Sequence, residues 1–207
     1  IVLLMGCAMF WSGFEQAGSS LNFFADRYTQ LEFSWATIPS TWLQSVNALF
    51  IIIFAPAFAW LWVALARKNL NPSTPAKFGF GLILLAAGFL VMVGAASIVV
   101  SGDKAMPSWL IMTYLLHTFG ELALSPVGLS VTTKLAPRRY VGQMMGMWFL
   151  ASALGNLIAG QIAGKFDADN IAAFPDQFMQ IVLISGGVGL VMLLFSKPIK
   201  KLMRGVD

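Results

Sequence analysis

Trp109–Val131 reads WLIMTYLLHTFGELALSPVGLSV, with Gly120-Glu121-Leu122-Ala123-Leu124-Ser125-Pro126 at its centre. About 20 mostly apolar residues let a helix cross a bilayer. The run therefore predicts a membrane-spanning helix with a carboxylate deep inside it. A second acid, Glu15, lies in the apolar run Ile1–Phe24. Each has roughly 14–21 Å of helix on either side at about 1.5 Å per residue. A charged carboxylate at the bilayer centre costs on the order of 3 kcal/mol. Chains keep such groups where they line a cavity, pair with a cation or carry protons.

Composition agrees with a membrane protein. The 207 residues are 58% hydrophobic and only 11% charged, against about 25% charged in soluble domains. The net charge of +4 is not a nucleic-acid signal, because the basic residues are sorted to particular loops. Cys7 is the single cysteine, which excludes a disulfide framework and suits a small buried hydrophobe. No basic region precedes Ile1–Met9 and the apolar run continues past it, so it does not read as a signal peptide. A chain that begins inside a hydrophobic helix, without Met, reads as a piece of a longer protein.

Six segments are long enough to cross a bilayer: near 1–25, 42–66, 78–100, 108–133, 141–164 and 178–196. The loops between them are Asp26–Thr41, Arg67–Lys77, Ser101–Pro107, Lys134–Tyr140 and Lys165–Gln177, marked by Pro, Asn, Asp and charge. The runs are continuous rather than alternating, so helix is favoured over barrel strand. Ten of the thirteen basic residues fall on one side: Arg67, Lys68, Lys77, Lys134, Arg138, Arg139, Lys197, Lys200, Lys201 and Arg204. Arg27, Lys104 and Lys165 fall on the other, with Asp167, Asp169 and Asp176. The positive-inside rule makes the first side, and both ends of the segment, cytoplasmic. The tail Lys197–Arg204 reads as a topology anchor touching anionic headgroups.

Polar residues recur in stripes. In the first span Trp11, Phe14, Glu15, Gly18 and Asn22 share a face, which either lines a cavity or makes a buried helix–helix contact. In the fourth, Glu121, Ser125 and Leu129 align at steps of four. Pro126 removes the hydrogen bond to the Leu122 carbonyl, predicting a kink or a local break beside the acid. In the second, Gln44 and Asn47 lie on one side, and Pro56 interrupts the span further on. Asn47 suits either interhelical bonding or an ammonium or amide ligand. In the fifth, Gly142/Gly146 and Gly160/Gly164 predict close helix packing. Trp148, Ser152 and Asn156 form a further stripe, with Trp148 open between packing and pocket lining. His117, one turn before Glu121, suits packing or a proton relay. No metal set, phosphate-binding glycine loop or nucleophile elbow appears, which argues against an enzyme and against a cofactor.

Phe10-Trp11-Ser12-Gly13-Phe14-Glu15-Gln16-Ala17-Gly18-Ser19-Ser20-Leu21 resembles the seventh-helix motif of the proton-dependent oligopeptide transporters. Gly120–Ser130, followed by Thr133-Lys134-Leu135-Ala136-Pro137, resembles their tenth-helix motif, and Gln143–Trp148 part of their eleventh helix. The resemblance covers all six spans in order. It implies an all-α integral membrane fold: the C-terminal six-helix half of a major-facilitator transporter, built from two inverted three-helix repeats. The N-terminal six-helix half would be absent from this chain. It further implies uptake of di- and tripeptides with protons across a bacterial-type inner membrane. Two alternatives share the fold: a non-transporting peptide sensor, and a transporter of another small substrate.

By the same resemblance, Glu121 meets the peptide amino terminus and takes part in proton coupling. Glu15 pairs with a first-helix Arg and helps gate the outer side. Asn47 sits near the peptide amino end, and Trp11, Phe14, Ser125, Leu129 and Trp148 line the pocket and gate. One departure is Ala48, where the family often has Pro.

Overall fold

The computed structural model describes residues 1–34, 36–166 and 170–203. Asp167, Asp169 and Arg204, placed by their charge in the sequence, lie outside the described residues. Eight α-helices run through the rest: α1 (Val2–Phe14), α2 (Ser20–Tyr28), α3 (Ser40–Arg67), α4 (Thr74–Val100), α5 (Pro107–Leu135), α6 (Val141–Ala163), α7 (Phe174–Leu194) and α8 (Ser196–Leu202). A two-stranded antiparallel hairpin, β1 (Glu32–Phe33) and β2 (Ala36–Thr37), lies between α2 and α3. Among the described residues, five helices, α3 to α7, are long and apolar enough to cross a membrane.

The first expected span is not one helix. A 3₁₀ turn, Glu15–Gly18, separates α1 from α2. The Ser19 amide bonds to the Gln16 carbonyl at 3.1 Å, one residue nearer than an α-helix requires, and Phe23 restarts the ladder on Ser19. A buried side chain ties this turn to its surroundings. Gln16, fully buried, donates to the carbonyls of Ser12 (3.3 Å) and Ala159 (3.0 Å). Its Oε1 accepts from the hydroxyls of Ser20 (2.6 Å) and Ser19 (3.3 Å). Such local side-chain bonds compete with the helix ladder. By contrast, α5 runs unbroken through Pro126 and α3 through Pro56. The backbone break therefore lies beside Glu15, not beside Glu121.

α4 is the hub, packed along α5 and α7 and also against α1, while α1 lies on α6 and α3 on α5. Phe78, Leu82, Leu85, Phe89 and Met92 of α4 are all fully buried, and steps of four and three put them on one face. Lipid is as apolar as these side chains, so close packing must hold the helices together. Glycines allow it. A Cβ at Gly120 would lie 2.7 Å from the Gly81 carbonyl oxygen, and one at Gly79 would lie 2.9 Å from that of Gly189. The α1–α6 approach runs through Gly155, where a Cβ would lie 2.6 Å from the Ala8 carbonyl oxygen. Gly142, Gly146 and Gly160, expected to pack, have open space where their side chains would be. α3 buries only Leu43.

Loop contacts sort the two ends of the bundle. Thr29 pairs with Ala105, Gln30 donates to the Ala105 carbonyl (2.8 Å), and Ala105 donates to that of Tyr28 (2.9 Å). Phe174 meets Tyr28 edge-on at 5.5 Å. The segments carrying Arg27, Lys104 and Lys165 thus share one end, in agreement with the alternation of charge along the chain. Asn71, Lys77 and Lys134 come together at the other end.

Candidate polar site between α3 and α5

α5 presents Thr118 and Glu121 one turn apart, and α3 lays Asn47 against both. Asn47 Nδ2 donates to Thr118 Oγ1 at 2.9 Å and to Glu121 Oε2 at 3.4 Å. Thr118 gives its own proton to the Tyr114 carbonyl at 2.7 Å, which leaves its lone pairs for Asn47. Each amide proton therefore has an acceptor. Glu121 is half-buried. Glu15 follows Phe14, whose ring lies 6.3 Å from that of His117, one turn before Glu121, so the two acids, far apart in sequence, lie in one region of the bundle.

An aromatic patch adjoins the acids. Trp11 meets Phe14 edge-on at 5.2 Å, Phe10 stacks on Phe14 at 5.5 Å, and Phe14 lies 6.3 Å from the His117 ring. Trp11 and Phe14 are half-buried and sit in the turn before Glu15. Ser125, one turn beyond Glu121, has a buried Oγ without a hydrogen-bond partner among the described residues. Leu129 follows another turn on, partly buried against the core.

Other expected residues lie elsewhere. Trp148 is 4% exposed, edge-on to Phe78 at 6.2 Å and packed on Gly128. Within this chain it packs in the core. Ser152, half-buried, meets the buried Cys7 (3.6 Å), and Asn156 is exposed. His117 is 1% exposed, between Phe89 at 4.9 Å and Gly88, and is a packing residue. Thr118 was absent from the sequence-based site. Its signal was present: a hydroxyl three residues before Glu121, on the same helix face.

A cavity of about 490 Å³ lies between α1, α6 and α7 and is lined by Ser12, Gln161, Lys165 and Gln177 among others. None of the acids or Asn47 faces it. The polar site instead sits on a surface that this chain leaves open.

Known proteins share this sequence and fold. The POT family model matches residues 1–179. The peptide transporter YePEPT of Yersinia enterocolitica is 48% identical over 208 residues, covering 100% of this chain and 41% of that protein. A di-/tripeptide transporter of Lactococcus lactis subsp. cremoris is 36% identical over 211 residues, again covering 100% of this chain and 41% of the relative. A crystal structure of peptide transporter POT in complex with sulfate superposes with a TM-score of 0.89 at 39% identity, over 99% of this chain and 40% of that one. Another, in complex with alafosfalin, gives 0.88 at 38% identity, over 99% and 41%. The chain spans about two fifths of the length of these relatives.

Proposed function

The chain belongs to the POT family and is an integral membrane protein; on that premise we propose that it is the C-terminal half of a proton-coupled importer of di- and tripeptides. In this reading α1 and α2 together make one broken crossing, which with α3 to α7 gives six spans in two inverted three-helix repeats. Residues 1–207 form one six-helix bundle. A further N-terminal six-helix half covers the open face of α3 and α5. The membrane is a bacterial-type inner membrane, with both ends of this segment cytoplasmic and lipid around the outer faces.

The observation that carries the proposal is the Asn47–Thr118–Glu121 cluster, with Glu15 near by, on an open face between membrane helices. A carboxylate held away from water takes a proton unless a cation stands beside it. Glu121 binds either a proton or the amino terminus of a peptide. Asn47, offering donor and acceptor, orients the amino end. Ser125, Leu129, Trp11 and Phe14 meet the peptide's backbone and side chains, while Trp148 backs that wall through Gly128. Basic residues of the other half hold the peptide carboxylate. Glu15, beside the backbone break, pairs with an Arg of the other half and closes the outer side. Coupling follows because proton and peptide together stabilise the closed state more than either alone.

The test uses the full-length protein in proteoliposomes, with labelled dipeptide outside. Uptake above the external concentration under an inward proton gradient, abolished when the gradient is collapsed, is the expected result. A sensor on the same fold would bind the dipeptide and accumulate none.

A further inference from the structure

The cavity of about 490 Å³ between α1, α6 and α7 takes no part in the polar site. Pockets that hold small ligands have volumes of about 300–1,000 Å³. Gln161, Lys165, Gln180 and Ile184 on its walls are exposed, so it opens between α6 and α7, two helices long and apolar enough to cross a membrane. No residue of α3 or α5 lines it, so it is turned away from the open face that carries Glu121, and what lies outside it is bilayer. On α7 its lining runs from Gln177 to Ser185, about 12 Å at about 1.5 Å per residue. One leaflet of the hydrocarbon core is about 15 Å deep. The cavity therefore has nearly the depth of one leaflet, starting at the end of the bundle that carries Lys165.

Its two ends differ in chemistry. At the deep end, Ser12 gives its proton to the Met9 carbonyl at 2.7 Å and Ser185 gives its own to that of Ile181 at 2.6 Å. Met9, Ile158 and Ile184 complete that part of the wall, which suits an apolar chain. At the rim, Gln177 Nε2 donates to the Lys165 carbonyl at 3.0 Å. A carbonyl only accepts, so the oxygen is the end of the amide left over. Gln177 Oε1 is buried without a hydrogen-bond partner among the described residues. Lys165, just past α6, and Asp176, in the first turn of α7, are both exposed and put a cation and an anion at the same rim. An apolar slot one leaflet deep thus ends in a buried acceptor and two opposite charges.

We infer that this cavity holds a phospholipid whose headgroup carries a primary ammonium, phosphatidylethanolamine, from the leaflet at the Lys165 end. One acyl chain lies between α6 and α7 on Ser12 and Gly13 of α1. The phosphate meets Lys165, and the ammonium donates to Gln177 Oε1 and faces Asp176. Phosphatidylcholine has the same charges but no N–H donor for the amide oxygen. Phosphatidylglycerol has no cation for Asp176. The chain rests on the last turn before the Glu15–Gly18 break, where the Ser12 carbonyl also accepts from Gln16 at 3.3 Å. The site requires that the protein span a membrane and does not depend on what it transports.

The test is binding of dioleoyl phosphatidylethanolamine, phosphatidylcholine and phosphatidylglycerol to the full-length protein in an uncharged detergent, read by native mass spectrometry and by thermal shift. Phosphatidylethanolamine is expected to be retained best and to raise the melting temperature most. Lys165→Gln should weaken its binding about fivefold. Gln161→Trp, which fills the mouth from an exposed position, should abolish it. Lys104→Gln, exposed at the same end but outside the cavity, is the charge-matched control and should leave it unchanged. Equal binding of phosphatidylethanolamine and phosphatidylcholine, or tighter binding of phosphatidylglycerol, overturns the proposal. So does unchanged binding in a folded Gln161→Trp variant. If Gln161→Trp does not fold, Lys165→Gln against Lys104→Gln decides: equal effects overturn it.

Discussion

The Asn47 amide of α3 donates to the Glu121 carboxylate of α5 at 3.4 Å and to Thr118 at 2.9 Å, so one side chain fixes the neighbour of the buried acid. α3 buries little else than Leu43 against the bundle. A sliding of α3 over α5 would break both bonds together, and the environment of Glu121 is therefore coupled to helix position.

That coupling is measurable. Interhelical hydrogen bonds in membranes contribute about 0.6 kcal/mol each. A double-mutant cycle of Asn47→Ala and Thr118→Val, followed by chemical denaturation in detergent, should give a coupling energy near that size. Additive effects would mean that the bond contributes nothing to the folded state.

Gln16 holds the break between α1 and α2. Gln16→Ala removes the second donor to the Ala159 carbonyl and the acceptor of the Ser20 hydroxyl, and an unsatisfied buried polar group costs about 1–3 kcal/mol. The variant should melt well below the wild type, and hydrogen exchange should speed up across residues 15–20 and around Ala159. Exchange unchanged in both segments would contradict this role.

Close helix crossings should be intolerant of side chains where the backbones touch. Gly120→Val places atoms against the Gly81 carbonyl, which lies 2.7 Å from a Cβ there, and overpacking costs about 1–3 kcal/mol or more. Gly142→Ala and Gly146→Ala meet open space and should leave the melting temperature unchanged. Equal destabilisation of the two classes would refute the assigned crossings.

Much of this fold was legible in the chain. Five of the six expected spans match helices to within a few residues, because long apolar runs and punctuating loops respond to the same bilayer thickness. The break at Glu15–Gly18 was not legible, since it depends on Gln16 reaching Ala159, 143 positions away. Pro126 predicts a kink or a local break beside Glu121, and α5 runs through it without a break. The acids and Asn47 stand out in the sequence because polar groups are costly in apolar runs. Thr118 escaped because a hydroxyl can satisfy itself on its own helix, and its second bond to Asn47 shows only in three dimensions. Gly142, Gly146 and Gly160 meet nothing within this chain: spacing gives a face, not the partner that covers it.

Glu15 stands beside the backbone break and near Glu121, and its proposed cationic partner belongs to the other half of the protein. Glu15→Arg should abolish dipeptide uptake, as should reversal of that Arg to Glu. The two reversals combined should restore part of it. Absence of any rescue, with both single variants folded, would count against the ion pair.

If Glu121 carries the coupled proton, acid-driven dipeptide uptake by full-length Glu121→Gln in proteoliposomes, with folding confirmed by its melting curve, isolates its role. Accumulation driven by the proton gradient is expected to be lost in this variant. Accumulation at the wild-type rate would contradict it.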